Sequence, residues 1–338
     1  MRSDSPSPAA VTAFAPGSIG NVGPGFDTLG LAIDGIGDRV SVALAPDGPS
    51  RVAEVTGRDA ERIPRDPACN CALIAARELL RRRGIAGEVV VSIDKGLPIS
   101  GGLGGSAASS VAGAYAAHLL AEAIAGGTSG NEPGASEGSS GRSPWQPPHP
   151  ALAADLLAAA LAGESVVSGF HLDNIGPSLF GGLVLSRCVS PIDVVPLPVA
   201  APWWLALWTP HVRIETKASR TLLDAASERA TWVQQMANTA ALVHAFASGD
   251  GALLGRALDD RYAEPKRAAL IPRFFEVKVA ARAAGAFGGS ISGSGPTVFA
   301  VAADERAARA CAAAMRQAGE VDSSVHVGGI AREGARRA

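Results

Sequence analysis

The segment that most constrains this chain is Pro98–Ser110, PISGGLGGSAASS, where Gly101, Gly102, Gly104 and Gly105 lead straight into an alanine-rich run. Glycine admits positive φ and lets other groups approach the backbone N–H closely. Residues 106–125 hold good helix formers and no proline, so the pattern predicts a helix opening at Ser106. A glycine loop that feeds a helix N-terminus gathers unpaired N–H groups and the positive end of the helix dipole at one point. That arrangement binds anions, and the anion it suits best is a phosphate. It is not a Walker A loop, because no Lys-Ser/Thr pair closes it and Lys95 stands before it. A dinucleotide fingerprint is also excluded, since no acidic residue follows on the next strand. Such a loop alone serves equally well as a tight turn, so the rest of the chain must decide.

A length of 338 residues suits two domains of roughly 150 residues each. The formal net charge of −2 supplies no positive excess for a nucleic-acid partner. Cys69, Cys71, Cys188 and Cys311 lack a second ligand pair at metal spacing, so they read as reduced, buried thiols and not as a zinc site. No apolar run approaches the roughly 20 residues of a membrane span, and residues 1–10 contain Pro6 and Pro8 in place of an apolar signal core. The expectation is a cytoplasmic protein with no membrane partner.

Short strands are expected at Val11–Ala15, Arg39–Leu44 and Glu88–Ile93, the last feeding the glycine loop. A helix is expected over Cys71–Arg83, ending at Gly84, with arginines in its last turn. Residues 126–150 are dominated by Gly, Ser and Pro and read as an inserted surface loop. A helix restarts at Ala151–Leu161. After Gly181-Gly182 come a strand near Pro202–Thr209, helices at Thr231–Ala247, Asp250–Leu258 and Phe274–Ala284, and a strand at Thr297–Val301. A helix at Asp304–Gln317 and a strand near Val325–Val327 follow. The irregular interleaving indicates an α+β chain.

Three glycine-rich segments, at 16–30, 98–110 and 285–296, are hard to explain as turns alone. Together they make the sequence resemble the GHMP kinase superfamily, whose central motif Pro-x-x-x-Gly-Leu-Gly-Ser-Ser-Ala-Ala is similar to Pro98–Ala108 here. Gly105 stands where that motif has its first serine, and Ser106 keeps the second. Asn21–Gly30 (NVGPGFDTLG), His171-Leu172-Asp173-Asn174 with Pro177, and Glu264-Pro265-Lys266-Arg267 with Leu270-Ile271-Pro272 are similar to the homoserine kinase branch. The resemblance runs from about residue 11 to 330, outside the 126–150 insertion.

The fold this implies has two domains. Residues 11–185 would form an N-terminal ribosomal-protein-like α/β domain, and residues 186–332 a C-terminal ferredoxin-like domain. The implied activity is transfer of a phosphoryl group from ATP, with Mg²⁺, to a small alcohol. On the branch it resembles most, that alcohol is L-homoserine, on the route to threonine. A mevalonate-, sugar- or shikimate-type kinase and a non-catalytic nucleotide- or amino-acid-binding member are the alternatives. A homodimer is the candidate assembly.

Carried over motif by motif, Pro98, Gly101, Gly102, Leu103, Gly104, Gly105, Ser106 and Ala107 would cradle ATP. Asn70 would reach the adenine or ribose. Ser106 and Glu164 would hold the metal, which prefers hard oxygen ligands; as a bland alternative, Glu164 is a surface carboxylate at a helix end. An amino-acid substrate presents a carboxylate that arginine reads bidentately, which assigns Arg220 and Arg267. Asp27 would take the ammonium, and Asn21 and His171 the hydroxyl or carboxylate edges. Thr216 would approach the γ-phosphate. Asn174 would orient the acceptor hydroxyl, with Asp173 as the candidate base. The third glycine segment would support the phosphate loop from the C-terminal side.

Overall fold

The computed structural model describes residues 10–127, 146–214, 216–223 and 226–338. Residues 128–145 of the expected insertion thus lie outside the described residues. The chain runs β1 (Val11–Gly20), β2 (Leu29–Leu44), β3 (Arg51–Gly57), α1 (Cys71–Arg82), β4 (Val89–Lys95), α2 (Gly105–Gly127), α3 (Pro150–Ser165) and α4 (Ile175–Phe180). It continues through β5 (Leu183–Val189), β6 (Ile192–Leu197), β7 (Trp204–Pro210), α5 (Thr216–Thr221), α6 (Arg229–Ser248), α7 (Gly251–Ala257) and α8 (Glu264–Arg267). The last elements are α9 (Phe274–Ala283), β8 (Gly288–Ile291), β9 (Val298–Ala302), α10 (Glu305–Gly319), β10 (Ser323–Gly329) and β11 (Arg336–Arg337).

The first sheet has the order β11-β1-β2-β4-β3, with β5 also paired to β2 and β6 to β5. The expected division after residue 185 therefore cuts through β5. Strand β6 still belongs to the first sheet, and β11 returns to it. The second sheet has the order β10-β7-β9-β8, with every pair antiparallel. Its connectivity, strand–helices–strand–strand–helix–strand, is that of a ferredoxin-like unit. The architecture is the two-domain α+β fold expected.

Alternation along the strands explains how these layers stack. In β7, Leu205 and Leu207 face one core while Ala206 and Trp208 face another. In β9, Phe299 and Val301 oppose Val298, Ala300 and Ala302 in the same way. The core on the Leu205 side also takes Ile19, Leu29, Leu31, Leu97 and Leu103 from the first half, so a single apolar layer joins the two sheets. Burying a Leu or Phe side chain contributes about 1.5–3 kcal/mol, which makes that shared layer a strong clamp.

Strand β1 runs five residues beyond its expected end. Pro16-Gly17 reads as a terminator, but the β1–β2 register shifts between Pro16 and Ser18 and pairing resumes. An inserted residue flips the faces of a strand. Ala13 and Ala15 accordingly face the helices, while Ile19 faces the shared core.

Helices α1, α2 and α3 cover the other side of the first sheet, where their backbones approach closely. A Cβ at Gly113 of α2 would sit 2.4 Å from the Ala72 carbonyl, and one at Gly163 of α3 would sit 2.3 Å from the Cys71 carbonyl. Gly→Ala in a free helix interior gains about 1 kcal/mol. Here overpacking outweighs that gain, and Gly113→Ala is expected to cost roughly 1–3 kcal/mol. Thermal unfolding followed by circular dichroism should show a lowered midpoint; a raised midpoint would contradict the packing.

Candidate active site

Strand β4 ends at Lys95 and helix α2 opens at Gly105, so the loop between them is carried by two rigid elements. Ser100, Gly102 and Gly104 take positive φ of 56°, 73° and 64°. Part of that glycine content serves loop packing. A Cβ on Gly102 would fall 2.5 Å from the Ser292 carbonyl, and one on Gly104 would fall 2.2 Å from Ser18 Oγ. The Ser292 and Thr297 hydroxyls donate to the carbonyls of Gly102 and Gly101. The third glycine segment thus clasps the phosphate loop, although Gly288–Ile291 of it is strand β8 and not loop. Pro98, Gly101, Gly102, Gly104, Gly105 and Ser106 line a cavity of about 360 Å³. Leu103 and Ala107 do not: their side chains are buried in the cores, which leaves only their backbones available to a ligand.

Glu164, in the last turn of α3, is buried and not a surface carboxylate. Its Oε1 accepts from Ser106 Oγ at 2.8 Å and from the Ser168 hydroxyl. Its Oε2 is buried with no hydrogen-bond partner. Burial pushes its pKa up to about 7 against the two hydroxyl bonds. An orphaned carboxylate oxygen beside a hydroxyl at the phosphate loop fits a hard divalent cation that keeps waters and phosphates as its other ligands. Among the described residues no group of three or more His, Cys, Asp and Glu is placed to hold a metal ion by itself, and of the four cysteines, expected to be buried, only Cys311 is.

The expected substrate residues share this cavity. Asn21, Asp27, His171, Asp173, Asn174, Arg220 and Arg267 all line the same cavity. Arg220 makes a two-pronged pair with Asp27, both N–O distances being 2.9 Å. The two groups assigned to opposite ends of a substrate are therefore bound to one another. His171 Nδ1 lies 3.7 Å from Asp27 Oδ1, and burial holds its pKa below the ordinary value. Arg267 is buried, donates to the Gly293 carbonyl at 3.0 Å, and lies with Arg220 over the Phe26 ring, at 5.3 and 5.4 Å. The Nε atoms of both arginines are buried without partners. Arg220 and Arg267 thus place two guanidinium groups on the lining of one cavity, an arrangement suited to an anion.

Asn21 occupies the cavity wall, but its amide is already engaged. Nδ2 donates to the Gly293 carbonyl at 2.8 Å, Oδ1 accepts from the Asp27 N–H at 3.0 Å, and its own N–H donates to Asp173 Oδ2 at 3.1 Å. It ties three segments together more than it presents free polar atoms. Asn70 behaves likewise: Oδ1 caps α1 through Leu73 N–H at 3.0 Å and Nδ2 donates to the Pro64 carbonyl at 2.8 Å. Its position at the cavity edge stands, but its side chain serves the helix. Thr216 opens α5, and its side chain lies outside the described residues. Asn174 Oδ1 accepts from Ser18 Oγ at 3.0 Å. Asp173 is buried, and burial followed by the Asp27 charge pushes its pKa up to about 7.

Four contributors are absent from the expected set. Ser168 holds Glu164, Phe26 carries the two arginines, and Asp38 with Lys95 ties down the loop. Phe26 sits inside the NVGPGFD motif, so its place was visible without its role. Asp38, one of two acids in strand β2, gives no comparable signal.

With this geometry in view, the comparisons with known proteins are decisive. The GHMP kinase N-terminal domain matches residues 70–127 and the GHMP kinase C-terminal domain matches residues 242–321. A homoserine kinase of Chloroherpeton thalassium is 35% identical over 96% of this chain and 98% of its own. One of Arabidopsis thaliana is 40% identical over 86% of this chain and 74% of its own. The chain belongs to the homoserine kinase family. The crystal structure of homoserine kinase from Cytophaga hutchinsonii superimposes with a TM-score of 0.84, at 35% identity and 98% coverage of both chains. Membership of this kinase family implies use of ATP. Among the described residues no helix is long and apolar enough to cross a membrane.

Asp173 makes one prediction independent of turnover. A carboxyl whose pKa is higher in the folded chain binds its proton more tightly there, so folding stability falls as pH rises from about 4 to about 7. Its pKa moves from 3.8 to about 7, a shift that corresponds to about 4 kcal/mol of penalty when ionised. Asp173→Asn should therefore melt above the parent at pH 8, with the gap closing as pH falls toward 4. A gap independent of pH would contradict the assignment.

Proposed function

We propose that the chain transfers the γ-phosphoryl group of ATP to the side-chain hydroxyl of L-homoserine, giving O-phospho-L-homoserine and ADP, as a cytoplasmic enzyme of threonine biosynthesis. The observation that carries this reading is a single cavity with two chemically different ends. One end holds the glycine loop with Ser106 and Glu164, and the other a carboxylate and two guanidinium groups. A zwitterionic amino acid matches the second end, with Arg220 and Arg267 facing its carboxylate and Asp27 its ammonium. A sugar carries no carboxylate to set against the buried Arg267 guanidinium.

Phosphoryl transfer asks mainly for positioning and charge neutralisation. The N-terminus of α2 and the loop N–H groups meet the phosphates. Magnesium is the proposed ion, with Ser106 Oγ and Glu164 as its protein ligands; when bound it neutralises phosphate charge. The hydroxyl oxygen forms the new bond to phosphorus as the bond to the ADP oxygen breaks. Asn174 orients that hydroxyl. Asp173, with a pKa about 7, is matched to accept its proton near neutral pH.

A coupled assay of ADP release should show turnover with Mg-ATP and L-homoserine, and far less with mevalonate, shikimate or a hexose. Efficient phosphorylation of one of those without turnover of homoserine would overturn the reading. Ser106→Ala should lower kcat/KM by about 100-fold, and Ser100→Ala and Ser109→Ala far less. Equal losses across the three would show that the metal is misplaced.

A further inference from the structure

We infer that Asp38, which does not line the cavity, is the positioning residue of the phosphate loop. The inference rests on the nucleotide half of the proposed function and not on the identity of the acceptor. Asp38 lies in β2 and is completely buried. Its two oxygens are divided between the two ends of the loop. Oδ1 accepts the N–H of Gly96 at 3.1 Å and of Leu97 at 3.2 Å, where the chain leaves β4. Oδ2 takes the Lys95 ammonium and, at 2.7 Å, the Ser109 hydroxyl, which belongs to the first turns of α2.

Lys95 extends the clamp. Its ammonium also donates to the Gly105 carbonyl and to Ser109 Oγ, each at 3.0 Å. One carboxylate thereby fixes residues 96–97 at the loop's entrance and 105–109 at its exit. The seven residues between these anchors, 98–104, are pinned at both ends. Ser106, on the first turn of α2, inherits its position from the same anchors.

Stability alone explains this pair poorly. A buried ion pair is seldom worth more than an apolar pair of equal volume, although removing one partner is costly. What an ion pair with five hydrogen-bonding directions provides is fixed geometry. The substrate end is held by other contacts, those of Asn21, Gly293 and Phe26, and does not touch Asp38. The clamp should therefore act on nucleotide binding and leave acceptor binding nearly alone.

The test compares the full chain with Asp38→Asn and Ser109→Ala. Asp38→Asn keeps an oxygen for the Gly96 and Leu97 N–H groups but removes the charge that faces Lys95. Titration calorimetry with ADP should show a Kd raised about tenfold or more for Asp38→Asn and about threefold for Ser109→Ala. The homoserine KM should stay within about threefold in both. An unchanged ADP Kd, or parallel changes in ADP Kd and homoserine KM, would overturn the inference. Should Asp38→Asn fail to fold, an unchanged ADP Kd in Ser109→Ala does so by itself. A parent chain that binds no ADP would instead refute the kinase reading on which the inference rests.

Discussion

The close approach of three glycine-bearing segments is the constraint on which the rest of the site depends. A Cβ at Gly30 would fall 1.6 Å from the Asp173 carbonyl, and one at Gly20 would fall 2.5 Å from Asp173 Oδ2. Gly102 meets the backbone of Gly295 in the same manner. Only where side chains are missing can β1, β2, the phosphate loop and the loop before β9 share one small volume. Polar contacts then lock that convergence, Gly293 N–H donating to Gly20 O at 3.0 Å and Asn21 bridging three segments. The two sheets, clamped by their common apolar layer, hold these loops at the required separation.

Within that volume the charges are arranged in opposed sets. Glu164 and Asp173 are buried carboxyls whose pKa values burial lifts to about 7, and Oε2 of Glu164 has no hydrogen-bond partner. Asp27 and Arg220, by contrast, satisfy each other. A ligand carrying both an ammonium and a carboxylate can exchange one pair for two and leave no charge unanswered. A ligand carrying only one of them strands a partly buried partner, which is expensive. In the proposed mechanism this exchange is the source of acceptor selectivity, and the phosphate end contributes none.

How much of this could be read from the sequence varied with the range of the interaction. The phosphate loop and the helix it feeds are local events, written in glycines and alanines a few residues apart, and they stand where expected, with α2 opening at Gly105. The end of β1 is not legible locally, because Pro16-Gly17 has the composition of a terminator and the geometry of a bulge. Asn21 and Asn70 illustrate a different limit. An asparagine in a loop can bind a ligand or satisfy the backbone with the same atoms, and here their amides serve Gly293, Asp27, Leu73 and Pro64. Asp38 was illegible because its meaning depends on Lys95, a residue 57 positions away.

The central claim, that this cavity phosphorylates an alcohol bearing both charges of an amino acid, is tested most directly by trimming the acceptor. We would compare kcat/KM for L-homoserine with that for the γ-hydroxy acid lacking the ammonium group and the amino alcohol lacking the carboxylate. The account predicts a loss of about 100-fold or more for each, because either omission strands a charged partner of the Asp27–Arg220 pair. Either analogue turned over as efficiently as homoserine would contradict it.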